Sequence, residues 1–168
     1  MNRRSFIKDS SLFGAGALIL PNSLFAKTTA LKKKVRLGFI AVGFRGQNHL
    51  TEMLKRDDIE IIAIADPDER MIHSAQQIIQ SATGKTCEAY QNGDYAYREM
   101  LAREDIDAVF VSSPWEWHYQ HGTESMKAGK IVAMEVCGAM TIEECWGYVK
   151  VYEETKVPIM MLENVCYR

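Results

Sequence analysis

The chain has 168 residues, a net charge of −2, 47% hydrophobic and 25% charged residues. That is an ordinary globular composition, long enough for one domain with a proper core and too short for two ordinary ones. No basic stripe interrupts it, which argues against nucleic acid as the main partner.

The first residues read as an address. Arg3-Arg4-Ser5-Phe6-Ile7-Lys8 precedes an apolar run from Leu12 to Leu20 that Pro21 breaks. A span of the bilayer needs ~20 apolar residues in a helix, so this run does not predict a stable membrane anchor. Twin arginines before a modest apolar segment resemble a bacterial twin-arginine export signal, so residues 1–30 are expected to be signal and leader and the product periplasmic. Cleavage after Ala26 or Ala30 fits equally well.

Residues 31–168 are expected to form one α/β domain. Val35-Arg36-Leu37-Gly38-Phe39-Ile40 suits a buried strand, and Ala41-Val42-Gly43-Phe44-Arg45-Gly46 a turn. A helix is expected over Gln47 to Lys55, with Leu50, Met53 and Leu54 on one face. A second apolar run, Ile59 to Ala65, ends in Asp66. Strand, glycine turn, helix, strand and terminal acid form the fingerprint of a dinucleotide site. Glycines let backbone N–H groups approach a pyrophosphate at a helix N-terminus, and the acid accepts hydrogen bonds from a ribose diol. Ala41 occupies the place of the first glycine, a turn that alanine makes if its φ stays negative.

Asp68 can cap the next helix, whose apolar face is Met71, Ile72, Ala75, Ile78 and Ile79 and which Gly84 ends. Further strands are expected at Cys87 to Tyr90, Ile106 to Ser113, Ile131 to Met134 and Ile159 to Leu162. Helices are expected through Tyr97, Met100 and Leu101, over Tyr119 to Ala128, and from the capping box Thr141-Ile142-Glu143-Glu144 to about Thr155. Alternation of this kind specifies a doubly wound parallel (Rossmann) sheet.

Ligands of such sheets sit beyond the carboxyl ends of the strands. That rim gathers Phe44, Arg45, Asp66, Trp115-Glu116-Trp117-His118, Glu135 and Glu163-Asn164-Val165-Cys166-Tyr167-Arg168. The tryptophans either stack on a ring or pack in the core, and His118 either holds a cofactor or caps a helix. Glu135, ending a buried strand, is expected to be a desolvated carboxylate of raised pKa or a partner in a salt bridge. Tyr167 serves as an acid or base only if a neighbour such as Arg168 lowers its pKa; stacking is its default. His49, His73 and His121 are expected on helix surfaces. Cys87, Cys137, Cys145 and Cys166 show no metal-ligand spacing and read as buried free thiols, and no metal is expected.

Ile106 to Pro114, His118, Ala128-Gly129-Lys130 and Glu135 resemble the N-terminal half of the Gfo/Idh/MocA oxidoreductases. That family places Glu-Lys-Pro where this chain has Glu135-Val136-Cys137, so the lysine of its dehydrogenase chemistry is missing. Gly38 to Gly43, Arg45-Gly46-Gln47-Asn48-His49, Trp115 to His118 and Leu162 to Arg168 resemble glycoside hydrolase family 109 within that group. The resemblance implies NAD as cofactor, lined by Gly43, Phe44, Arg45, Gly46, Asp66, Trp115, Glu116, Trp117, His118, Glu135, Val136 and Asn164, with Glu135 and Tyr167 as catalytic candidates. It also implies hydrolysis of terminal α-N-acetylgalactosamine. Hydride would leave C3 of the sugar, the C2 proton and then the aglycone would be lost, water would add, and the hydride would return, regenerating NAD. Members carry a second domain that supplies most of the sugar pocket, so this chain is expected to be the cofactor-binding half, truncated before that domain and inactive alone. The alternatives are a conventional sugar oxidoreductase using NAD(P) and a non-catalytic nucleotide-binding module. A small glycan is the expected partner, and assembly as a homo-oligomer stays open.

Overall fold

The computed structural model describes residues 34–163. The proposed export signal and Asn164, Cys166, Tyr167 and Arg168 lie outside the described residues. Strands β1 (Val35–Ile40), β2 (Ile59–Ala65), β3 (Glu88–Tyr90), β4 (Ala108–Val111), β5 (Ile131–Met134) and β6 (Ile159–Met161) alternate with helices α1 (Phe44–Met53), α2 (Glu69–Thr83), α3 (Tyr97–Leu101), α4 (Trp115–Lys127) and α5 (Ile142–Thr155). All pairings are parallel, in the order β3-β2-β1-β4-β5-β6. This is the Rossmann arrangement, with its topological switch between β1 and β4.

Strand periodicity sorts the core into two layers. Leu37, Phe39, Ile64 and Phe110 face one side and pack with Leu50 of α1 and Ile72, Ala75 and Ile79 of α2. Phe39 and Phe110 stack there with ring centroids 5.1 Å apart. Ile40, Ala63, Ala65, Val109 and Val111 face the other side, with Tyr97 and Met100 of α3, Met126 of α4 and Val151 of α5. Burial on both faces explains why these strands read as continuous apolar runs. Below the sheet's other rim, the Lys130 ammonium donates to the carbonyls of Arg103 and Ile106, closing the turn before β4.

Two helix starts differ from the sequence expectation. Helix α1 begins at Phe44 rather than Gln47, because Gly43 already acts as its N-cap. Helix α4 begins at Trp115 rather than Tyr119: Pro114, with φ −56° and ψ 151°, is the extended residue from which the helix starts. The Trp115 to His118 string is therefore the first turn of a helix and not a loop. Both helices thereby point their N-termini at the same rim, beside the switch point. The caps at α2 and α5 match expectation: Asp68 accepts from Arg70 N at 2.9 Å and Thr141 from Glu144 N at 3.1 Å.

Candidate cofactor site

A cleft of about 510 Å³ opens at the switch point, floored by Ile40 and Ala41 at the end of β1 and by Ser112 and Ser113 after β4. Gly43, Phe44, Arg45, Asp66 and Trp117 of the expected cofactor residues line it. Ala41 adopts φ +67°, correcting the expectation of a negative φ. The tight turn requires the left-handed region that a glycine would enter freely, and alanine carries the cost of its Cβ. Four bonds hold the turn: Ala41 N donates to Ala65 O at 2.8 Å, Val42 N to Asp66 Oδ2 at 2.8 Å, Ser112 Oγ to Ala41 O at 2.8 Å, and Gln47 Nε2 to Val42 O at 2.9 Å.

The two remaining glycines of the fingerprint serve different ends. A Cβ on Gly46 would lie 2.4 Å from Ala41 O and 2.7 Å from Ser112 Oγ, so Gly46 is required by the close approach of α1 to β1 and β4. A Cβ on Gly43 would meet nothing within 4 Å. Its openness is directed at the cleft, as expected where backbone approaches a pyrophosphate. Phe44 is 85% exposed beside it, a large apolar ring with no core role.

Asp66 is buried at the end of β2. Its Oδ1 accepts from Asp68 N at 2.9 Å while Oδ2 binds Val42 N. Burial raises its pKa, and these two backbone donors offset that only in part. Each carboxylate oxygen retains acceptor capacity for a diol. Asp66 thus also supports the glycine turn directly.

A second cluster forms at the end of β5. Glu135 is buried, and its Oε1 accepts from Arg45 Nε at 2.8 Å and contacts His49 Nε2, while Oε2 accepts from Val136 N at 3.1 Å. Burial pushes its pKa up, but the bonds from His49, Arg45 and Val136 together outweigh burial and leave it lowered. Of the two expectations for Glu135, the raised pKa is corrected and the salt-bridged carboxylate is the one observed. Trp115 Nε1 donates to Val136 O at 3.0 Å, and His118 Nδ1 to Cys137 O at 2.6 Å. These two bonds stitch the first turn of α4 to the segment after β5. Trp115 nevertheless remains 59% exposed, and Glu116 is exposed beside it, whereas His118 is fully buried.

Two histidines expected on the surface are not there. His49 packs its ring on Phe110, centroids 4.6 Å apart, and reaches Glu135. His121 is buried against the cleft, with Nδ1 2.9 Å from Ser113 Oγ and its ring between Trp117 and Tyr97. Burial lowers its pKa to about 4. The available signal for His49 was its spacing, one helical turn after Arg45. His73 is exposed as expected. Of the cysteines, Cys145 is exposed and Cys87 and Cys137 are half-buried, so the buried-thiol expectation is corrected for these three. Burial pushes the Cys87 thiol up to about 12, so it stays protonated.

Parallel order 3-2-1-4-5-6, a glycine turn beneath two helix N-termini and an acid after β2 define an NAD-binding Rossmann domain. Residues 35–163 match the family model of the oxidoreductases with an NAD-binding Rossmann fold, GFO_IDH_MocA, and the chain belongs to that family. Curated relatives include a glycosyl hydrolase family 109 protein of Shewanella pealeana, 35% identical over 99% of this chain, and an alpha-N-acetylgalactosaminidase of Shewanella oneidensis, 33% identical over 99%. The chain spans 40% of the length of each. Among solved structures, scyllo-inositol dehydrogenase of Lactobacillus casei with bound NAD(H) and scyllo-inositol superposes with a TM-score of 0.67 at 22% identity, over 77% of this chain and 36% of that one. A putative myo-inositol dehydrogenase of Sinorhizobium meliloti gives 0.64 at 26% identity, over 76% and 36%.

Proposed function

We propose that this chain is the cofactor-binding part of an exported NAD-dependent glycosidase that removes terminal α-N-acetylgalactosamine. The similarity to family 109 proteins over 99% of the chain carries this reading. The end of β5 supports it. Val136 stands where the resembling dehydrogenases carry lysine, and Glu135, tied to two basic side chains, is poorly suited to replace that lysine as an acid.

Bound NAD supplies a reversible hydride acceptor, which suits a cycle of oxidation, elimination, water addition and reduction with no net redox change. The protein's own part is to hold it. Gly43 leaves room for its pyrophosphate, Asp66 offers acceptors to a ribose, Arg45 presents positive charge at the cleft, and Phe44 and Trp117 offer ring faces. Glu135 acts as an anchor for Arg45. A tightly held cofactor that is restored in each cycle also fits export, since a folded protein can carry its NAD out of the cytoplasm.

The test begins with the purified protein, denatured and extracted; about one NAD per chain is expected. Next, this chain replaces the matching region of the Shewanella oneidensis enzyme, and the chimera receives 4-nitrophenyl α-N-acetylgalactosaminide. Nitrophenol release without NADH accumulation, with solvent deuterium entering at C2, supports the glycosidase. NADH accumulating from free sugar would instead favour a sugar dehydrogenase. NAD bound with neither activity would leave a binding module. Fractionation of cells carrying wild-type or Arg3→Lys, Arg4→Lys protein tests export, which the double change should abolish.

A further inference from the structure

The contacts around Glu135 separate two jobs that one ion pair would otherwise share. Arg45 and His49 lie one turn apart on α1 and so face the same way. Both meet a single atom, Oε1 of Glu135, which arrives from β5 on the far side of β4. Only Arg45 continues into the cleft; its side chain is 52% exposed and lines the cavity wall. His49 is 23% exposed, packs its ring on Phe110 at a tilt of 33°, and does not line the cleft. Glu135 itself is 6% exposed at the side chain.

An arginine with three aliphatic carbons and a half-exposed head has many rotamers, and ordering it costs rotamer freedom. Among the described residues, the guanidinium has one hydrogen-bond acceptor, Glu135. Whatever fixes Glu135 therefore fixes Arg45. Two bonds do so: Val136 N to Oε2, and His49 to Oε1. The first is local to β5 and sets the carboxylate plane. The second ties that plane to α1, the helix whose N-terminus faces the cofactor.

We propose that His49 is a positioning residue of the cofactor site: by bonding Glu135 it holds the Arg45 guanidinium in the cleft, ready for an anionic part of the dinucleotide. The proposal rests on the NAD site described above and extends it to a side chain that never touches the ligand. The imidazole, packed on Phe110, presents Nε2 to Oε1 while Val136 N holds Oε2, so both carboxylate oxygens have a partner before the ligand arrives. Preorganisation of this kind raises affinity by removing an ordering cost at binding.

The test is a double-mutant cycle read as NAD affinity by titration calorimetry. His49→Phe keeps a ring on Phe110 and removes the bond to Glu135. It should weaken NAD binding roughly tenfold, the equivalent of about one charge-assisted hydrogen bond. His49→Gln, whose amide nitrogen reaches the position of Nε2, should recover most of that loss. In an Arg45→Ala background His49→Phe should change NAD affinity by less than about twofold, because the group it positions is gone. If His49→Phe does not fold, His49→Asn, too short to reach Oε1, takes its place. An equal loss in both backgrounds, or unchanged affinity in His49→Phe, overturns the proposal and leaves the cofactor site standing. Failure of the unaltered protein to bind NAD overturns the site and the proposal together.

Discussion

At the scale of single residues, the glycine turn carries two opposed demands that substitution can separate. Ala41, at φ +67°, sits where an L side chain is strained. Ala41→Gly relieves about 1–2 kcal/mol of steric cost and returns part of it as extra freedom in the unfolded chain. A net gain of about 0.5–1 kcal/mol is expected, read as a higher urea midpoint at unchanged slope. A lower midpoint would mean that the side chain of Ala41 contributes more packing than its conformation costs. Gly46→Ala should do the opposite. Its Cβ would strike the backbone carbonyl of Ala41, so α1 must move, at a cost of about 3 kcal/mol. Gly43→Ala is the informative contrast. At φ −65° any residue is tolerated and its Cβ meets open space, so the stability loss should not exceed about 1 kcal/mol, the preference of an N-cap for glycine over alanine. NAD affinity should nevertheless fall, since the methyl would occupy the approach to the pyrophosphate. A loss well beyond that capping cost, with NAD affinity unchanged, would show that this glycine serves the fold and not the ligand.

Secondary-structure elements were legible to different degrees, and the reasons are physical. Strands β1, β2, β4 and β5 announce themselves because both faces are buried, which leaves apolar runs broken only by Arg36 and Glu60 near the starts of β1 and β2. The helix starts at Phe44 and Trp115 are hidden, because Gly43 and Pro114 end the preceding turns without an Asn, Asp, Ser or Thr cap to mark them. Helix α5 is the well-signed case. Thr141 caps it, Glu144 reaches back to Met140 N at 2.7 Å, and Lys156 ends it at φ +60°. Thr141→Ala should cost about 1 kcal/mol, whereas Lys156→Gly should gain up to about 1 kcal/mol by relieving a left-handed non-glycine residue. Thermal unfolding of both variants tests the pair; equal shifts of one sign would show that α5 is held by packing alone. In the site, Arg45, Asp66 and Glu135 were legible because they end strands or follow the glycine turn. The roles of His49 and His121 were not. His49 acquires its role from a residue 86 positions away, and His121 from Ser113 and the two rings that enclose it. Periodicity places a residue on a helix face but does not say what will cover that face.

For the whole molecule, the buried His121 makes stability depend on pH in a window of its own. Burial holds its pKa near 4, with Glu124 raising it and His118 and Arg98 lowering it further, against about 6.5 for an unperturbed histidine. The unfolded chain therefore binds one more proton than the native state between these values, and stability rises with pH across that interval. The contribution is complete above about pH 6.5 and is lost as pH falls toward 4, with a slope approaching 1.4 kcal/mol per unit. Its full extent is on the order of 3 kcal/mol, a large share of the margin of an ordinary domain. The carboxylates of Glu124 and Glu135, whose pKa values are lowered, act in a separate window. Their stabilisation is present above the unfolded carboxylate value and disappears only as pH falls through the still lower native one. Asp66, raised by burial, opposes them weakly, because its stabilisation is complete below the unfolded value and is lost as pH rises through the native one. His121→Asn keeps a donor near Ser113 and removes the titration. Urea unfolding from neutral pH to about pH 4.5 should therefore show a steep decline in the wild type and a nearly flat line in the variant, whatever its absolute stability. Parallel slopes would mean that the unfolded state takes up its protons elsewhere, and that the enclosure of His121 by Trp117 and Tyr97 does not hold it neutral.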